Sequence, residues 1–278
     1  MTENVPPVET VSRRNCPVCH SGAYTSLPAY SKDGWHIVQC LTCKMVYLEN
    51  PPAQNLLKTD FAWEGRKDEE RRRRRAGRSF YYFFSDRLKR LRGMLRRFNK
   101  QPKEIRYIVK YSPGRNVLDV GCGDGNIISQ LPDTYVTYGI EPSPQMAEVA
   151  NDTFSRHGGL CIHDVAVGGF AQINKTRFDF ILMRSFLEHD SEAMVTLQAA
   201  HSVLSEQGGV LIKVPNFACW NALLRKKNWP GMRYPDHVNY FTPSTLKAIL
   251  SRTGFSRVYM PLSWRLPSSD NLWVVAYR

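Results

Sequence analysis

Val117-Leu-Asp-Val-Gly-Cys-Gly-Asp-Gly125 joins a short apolar run to three glycines spaced two apart. Residues 117–120 read as a buried strand. The glycines at 121, 123 and 125 let the backbone turn sharply and approach a ligand closely, because no Cβ intervenes. Dinucleotide-binding folds also use glycine-rich turns, but their fingerprint is G-x-G-x-x-G. Here the order is G-x-G-x-G, with Asp119 two positions ahead of the first glycine and Asp124 inside the turn. A cradle for a bare anion would not want two carboxylates beside it, whereas a ligand carrying positive charge tolerates them. Glu141 follows the next apolar run, Thr137-Tyr-Gly-Ile140, where a carboxylate can accept hydrogen bonds from both hydroxyls of a ribose.

Outward from this loop, strand-like and helix-like runs alternate. Phe178-Asp-Phe-Ile-Leu-Met183 and Gly209-Val-Leu-Ile-Lys-Val214 are further strands, with helical runs over 144–156 and 192–204 and a helix opening at about Asn126. Such alternation predicts an α/β fold, a parallel sheet covered by helices on both faces. The last two runs, Gly254-Phe-Ser-Arg-Val-Tyr259 and Leu272-Trp-Val-Val-Ala-Tyr277, leave no room for a crossover helix and are expected to pair antiparallel.

The series VLDVGCGDG, YGIEPS, CIHDVA, FDFILMRSFLEHD and GGVLIKVPN, in that order, resembles the class I S-adenosylmethionine-dependent methyltransferases over residues 105–278. The resemblance implies a Rossmann-like sheet of seven strands and S-adenosylmethionine as cofactor. It assigns Asp119, Gly121, Cys122, Gly123 and Gly125 to the methionine part, Glu141 with Pro142 to the ribose, and Asp164 and Val165 to the adenine. Arg184 and Ser185, with Phe186, would close the pocket near the sulfonium. Asp236-His-Val-Asn-Tyr-Phe-Thr-Pro243 is similar to the H-x-N-x-F-[ST] signature of a ribbon-bearing subgroup associated with sugar and polysaccharide pathways. FLEHD resembles the ubiquinone-type O-methyltransferases. The acidic residue these often carry three positions before the glutamate is Ser185 here, which argues against their catalytic metal.

The ribbon rests on its own spacing. Cys16-Pro-Val-Cys19 and Cys40-Leu-Thr-Cys43 are two C-x2-C pairs with twenty residues between them, the pattern by which two knuckles supply four thiolates to one tetrahedral zinc. A closed four-thiolate shell leaves no position for catalysis, and so small a unit cannot bury enough apolar surface to fold alone, so the zinc is expected to be structural. His20 and His36 are bystanders.

The formal charge of +13 is concentrated. Residues 64–104 carry sixteen basic and six acidic side chains, whereas residues 1–63 carry five of each. This middle segment, with Arg71–Arg75 behind Asp68, Glu69 and Glu70, reads as a basic helix. The chain therefore divides into a zinc-ribbon domain (1–55), a basic helical connector or lid (56–104) and a methyltransferase domain (105–278). Two acceptor classes follow: a hydroxyl of a sugar-containing or phosphorylated small molecule, or, as the alternative, ribosomal RNA gripped by the ribbon and the arginine helix. The charge balance of the ribbon favours the first. Methyl transfer to a hydroxyl calls for alignment and a base near neutral pKa, for which His237, in an aromatic and basic loop, and His189, after a strand, are the candidates. Apolar runs are too short to span a bilayer and no basic-then-apolar leader opens the chain, so a cytoplasmic protein is expected.

Overall fold

The computed structural model describes residues 13–52 and 101–278. The basic segment of the sequence reading, including Arg71–Arg75, lies outside the described residues apart from its last positions.

In the larger part, α1 (Lys103–Tyr111) precedes β4 (Asn116–Val120), then β5 (Val136–Glu141), α2 (Pro144–Ser155), β6 (Cys161–His163), α3 (Ala166–Gln172), β7 (Phe178–Arg184), α4 (Ala193–Val203) and β8 (Leu204–Pro215). After these come α5 (Trp220–Arg225), β9 (Asn239–Tyr240), α6 (Pro243–Arg252), β10 (Arg257–Tyr259) and β11 (Asn271–Tyr277). Seven strands form one sheet in the order β10-β11-β8-β7-β4-β5-β6. β8, β7, β4, β5 and β6 run parallel, and β11 pairs antiparallel with both β8 and β10. The antiparallel end matches the expectation from the short connection between the last two runs.

Side chains on successive strand residues point to opposite faces, and the core divides accordingly. Leu118, Ile181, Met183, Val210, Ile212 and Val274 pack with Phe170, Leu197, Leu246 and Ile249 of α3, α4 and α6. Val117, Phe180, Leu182, Leu211 and Val275 pack on the other face with Ile105, Ile108 and Phe154 of α1 and α2. Each such side chain, fully buried, stabilises the fold by about 1.5–3 kcal/mol relative to exposure. Caps fix where helices begin: Ser143 Oγ accepts from Met146 N–H ahead of α2, and Thr242 and Thr245 form a reciprocal capping box at α6.

One expected helix differs. After the glycine turn the chain forms a 3-10 turn over Ile128–Gln130 and then meets Pro132, too short a stretch for a full helix.

The smaller part is a four-stranded sheet, β1 (Tyr24–Ser26), β2 (Ile37–Cys40), β3 (Val46–Leu48) and, last, β9. Its fourth strand thus comes from the far end of the chain, with Val46 opposite Tyr240 and Tyr47 opposite Asn239. Arg14 fastens the joint: its Nε donates to Leu48 O at 2.8 Å, and its terminal nitrogens reach Val238 O and Asn239 Oδ1. Ile37, Val46 and Leu48 share an apolar cluster with Trp229, Val238 and Tyr240.

Candidate functional site

The sheet changes direction beside β4, whose neighbours are β5 on one side and β7 on the other. Crevices at the carboxyl ends of strands at such a point take ligands in open α/β folds. The glycine turn, Glu141–Pro142, Asp164–Val165 and Arg184–Ser185 follow β4, β5, β6 and β7, so the topology gathers them along this edge.

Gly121, Gly123 and Gly125 all adopt positive φ, at 72°, 58° and 73°. Their surroundings differ. A Cβ on Gly121 would lie 2.9 Å from the Phe186 ring, and one on Gly125 equally close to Phe154, whereas nothing lies within 4 Å of one on Gly123. The turn therefore packs at its ends and leaves an open cradle at its middle. Glu141 stands at that cradle, its carboxylate accepting from Gly123 N–H at 2.8 Å and Ser143 N–H at 3.0 Å. Cys122 is buried beside Cys161, Sγ to Sγ 3.7 Å.

Asp119 is buried under the turn, and burial pushes its carboxyl up to about 8; Glu141 and Glu104 add to the rise and Arg184 opposes it. Arg184 Nε donates to Glu104 Oε1 at 2.7 Å, an ion pair from strand to α1 that the sequence reading missed because the two residues are eighty positions apart. Ser185 holds a left-handed φ of 54°, uncommon for a non-glycine residue, with its N–H on Lys213 O. Asp164 turns to its own helix, accepting from Val165 N–H and Gln172 Nε2, both at 2.7 Å. The Pro142 carbonyl accepts from His163 Nε2 at 3.1 Å.

Past Phe186, His189 and His237 come together with ring centroids 4.6 Å apart, edge to face. Each ring is oriented by the backbone: Nδ1 of His189 lies 3.0 Å from Asp236 O, and Nδ1 of His237 lies 2.9 Å from Gly231 O. A carbonyl only accepts, so Nδ1 carries a proton in each ring, and wherever the ring is neutral the lone pair is on Nε2. Burial pushes His189 down to about 4. Glu188, unassigned in the sequence reading, completes the group: it is fully buried, and burial pushes it up to about 7. Its adjacency to His189 in FLEHD was the available signal.

The four cysteine sulfurs converge. Sγ of Cys16 lies 3.4 Å from that of Cys43, and Cys19 and Cys40 are the same distance apart, all four within 4.8 Å of one another. A tetrahedron with zinc–sulfur bonds of about 2.3 Å has edges of roughly 3.8 Å, so the sulfurs fit such a shell. His20 and Lys44, each just after a second cysteine, take left-handed backbone that closes the knuckle.

A family model described as a methyltransferase domain matches residues 71–259. The chain belongs to this methyltransferase family. Its sheet is the fold of S-adenosylmethionine-dependent methyltransferases: one from Archaeoglobus fulgidus superposes with a TM-score of 0.51 at 18% identity, over 72% of this chain and 100% of that one. The magnesium protoporphyrin IX methyltransferase of Synechocystis, solved with bound S-adenosylhomocysteine, gives 0.52 at 17% identity over 81% and 100%. No curated protein sequence matches this methyltransferase. Among the described residues, no helix is long and apolar enough to cross a membrane.

Proposed function

We propose that this methyltransferase transfers the methyl group of S-adenosylmethionine to a hydroxyl of a sugar-containing or phosphorylated small molecule in the cytoplasm. The observation that carries the cofactor is the open cradle at Gly123 with Glu141 pinned at its side. In this reading Asp119, Cys122 and the glycines flank the methionine part, Glu141 and Pro142 the ribose, Asp164 and Val165 the adenine, and Arg184 and Ser185 the sulfonium side. When bound, S-adenosylmethionine supplies an electrophilic methyl group on a sulfonium. Phe186, packed against Gly121, stands in sequence between Ser185 and the Glu188–His189 pair. His237 and His189 orient the acceptor hydroxyl through their Nε2 lone pairs, and one of them takes its proton, a contribution of about 10²–10⁴ in rate.

The two C-x2-C pairs hold one structural zinc, with the ribbon at 1–55, the basic connector at 56–104 and the transferase domain at 105–278. The convergence of four sulfurs supports the zinc. The acceptor class rests on the ribbon's charge balance and on the resemblance of the Asp236–Pro243 stretch.

Calorimetric titration with S-adenosylmethionine tests the cofactor assignment. Glu141→Ala removes two ribose hydrogen bonds worth about 1.5–3 kcal/mol each, so affinity should fall at least a hundredfold, while Glu141→Gln should keep part of it. Equal affinity in wild type and Glu141→Ala would show that the ribose is read elsewhere.

A further inference from the structure

We propose that helix α5 and the basic turn after it dock this protein on an anionic lipid surface. Trp220, Leu223 and Leu224 stand at i, i+3 and i+4, one face of a helix, and they are 59%, 55% and 81% exposed. A helix on a globular surface ordinarily turns such a stripe toward the core. Here the opposite face is the fixed one. Ala222 is buried, its N–H donating to the Cys219 sulfur at 3.3 Å, and Asn221 Nδ2 donates to Asp270 Oδ1 at 3.0 Å. Trp220 N–H donates to Pro267 O at 2.8 Å, which ties the helix to the exposed segment 265–268. The three apolar side chains are therefore held outward by a helix anchored on its other side.

The rim of this face is cationic. Arg225 closes the helix, a left-handed φ of 50° at Lys226 turns the chain, and Lys226 and Lys227 are exposed there, as is Arg265 on the adjoining segment. The nearby carboxylate of Asp270 is held from the inner side, by Asn221 and by Trp229 Nε1 at 3.3 Å. Tryptophan and leucine bordered by lysine and arginine make up a helix that lies at the boundary between headgroups and acyl chains. The same charge decides among occupants. Residues 64–104 of this chain carry sixteen basic and six acidic side chains, so like charge opposes their settling on the face, and it equally opposes a second copy presenting the same rim. RNA would meet the cations, but two leucines offer it neither a hydrogen bond nor a stacking plane.

The helix follows the carboxyl end of β8, on the edge of the sheet that also holds the glycine turn. Docking through α5 brings that edge toward the headgroups. Three side chains on a short helix make the attachment peripheral and reversible. This surface stands apart from methyl transfer and from the identity of the acceptor.

The full chain is sedimented with vesicles of phosphatidylcholine alone and with about 30% phosphatidylglycerol added, across a salt series. Wild type should bind the anionic vesicles about tenfold or more tighter than the neutral ones, and salt should weaken the binding. Leu223→Gln with Leu224→Gln should cut the affinity about tenfold or more, and Lys226→Gln with Lys227→Gln about fivefold or more, with melting temperature unchanged in both. Brominated lipid should quench tryptophan fluorescence in wild type and less in Trp220→Phe. Absence of binding to anionic vesicles, or equal binding by wild type and the two double variants, overturns the proposal. So does a melting temperature lowered by several degrees in the leucine variant, which would put the chain's own residues over the face. A wild-type dimer that the leucine variant dissolves, or ribosomal RNA bound through these residues in preference to vesicles, overturns it as well.

Discussion

Asp119 shows how one residue ties the fold to the chemistry. Its place on β4 is set by alternation with Leu118 and Val120, yet it carries a charge-bearing group into the core under the glycine turn. Burial, then Glu141 and Glu104, hold its carboxyl near 8 against the pull of Arg184. In the unfolded chain the same group ionises near 3.9. Between those values the native state holds a proton that the unfolded state has released, so stability is greatest below the ordinary carboxylate range and declines as pH rises toward 8. Above 8 both states are ionised and the dependence ends. Melting temperatures measured from pH 5 to 8 should therefore fall more steeply in wild type than in Asp119→Asn, which has the same shape and nothing to titrate. Parallel curves would show that Asp119 is ionised in the folded protein.

At the level of elements, the glycine turn divides into positions that pack and a position that faces a ligand. Gly125→Ala drives a methyl group into Phe154 at positive φ and should lower stability by about 2 kcal/mol or more, seen as a drop in the denaturant midpoint. Gly123→Val meets no neighbour but holds a β-branched residue at a φ of 58°, so it should cost about 1–2 kcal/mol of stability and, beyond that, weaken S-adenosylmethionine binding in the folded protein; intact binding would refute the cradle. Much of this was legible in the chain itself. The near-continuous apolar runs at 178–183 and 209–214 and the glycine spacing point to the central strands and the edge where ligands bind. What was not legible has a common cause. Asn239–Tyr240 is too short to carry a period of its own, and it becomes a strand only because β3 lies beside it. Glu188 joins the histidines, and Glu104 joins Arg184, through contacts between distant parts of the chain, which local pattern does not encode. The 3-10 turn after Gly125 reflects Pro132 cutting short a run that began with helical character.

For the molecule as a whole, strands β1–β3 of the smaller part and the larger part are joined through β9, two residues after His237. Metal analysis of purified protein should find zinc on Cys16, Cys19, Cys40 and Cys43, lost in Cys40→Ser. Stripping it with a chelator should raise amide hydrogen exchange across residues 237–241 as well as 37–48, because β3 would lose its anchor. Protection at 237–241 that survives chelation would mean that the joint stands without the metal. The same pairing bears on how the chain is made. Residues 37–48 leave the ribosome long before their partner at 239–240, so for most of synthesis β3 presents an unpaired strand edge and Ile37, Val46 and Leu48 lack the apolar residues they pack with. A sheet whose first three strands are made early is thus completed only when 239–240 arrives, late in synthesis.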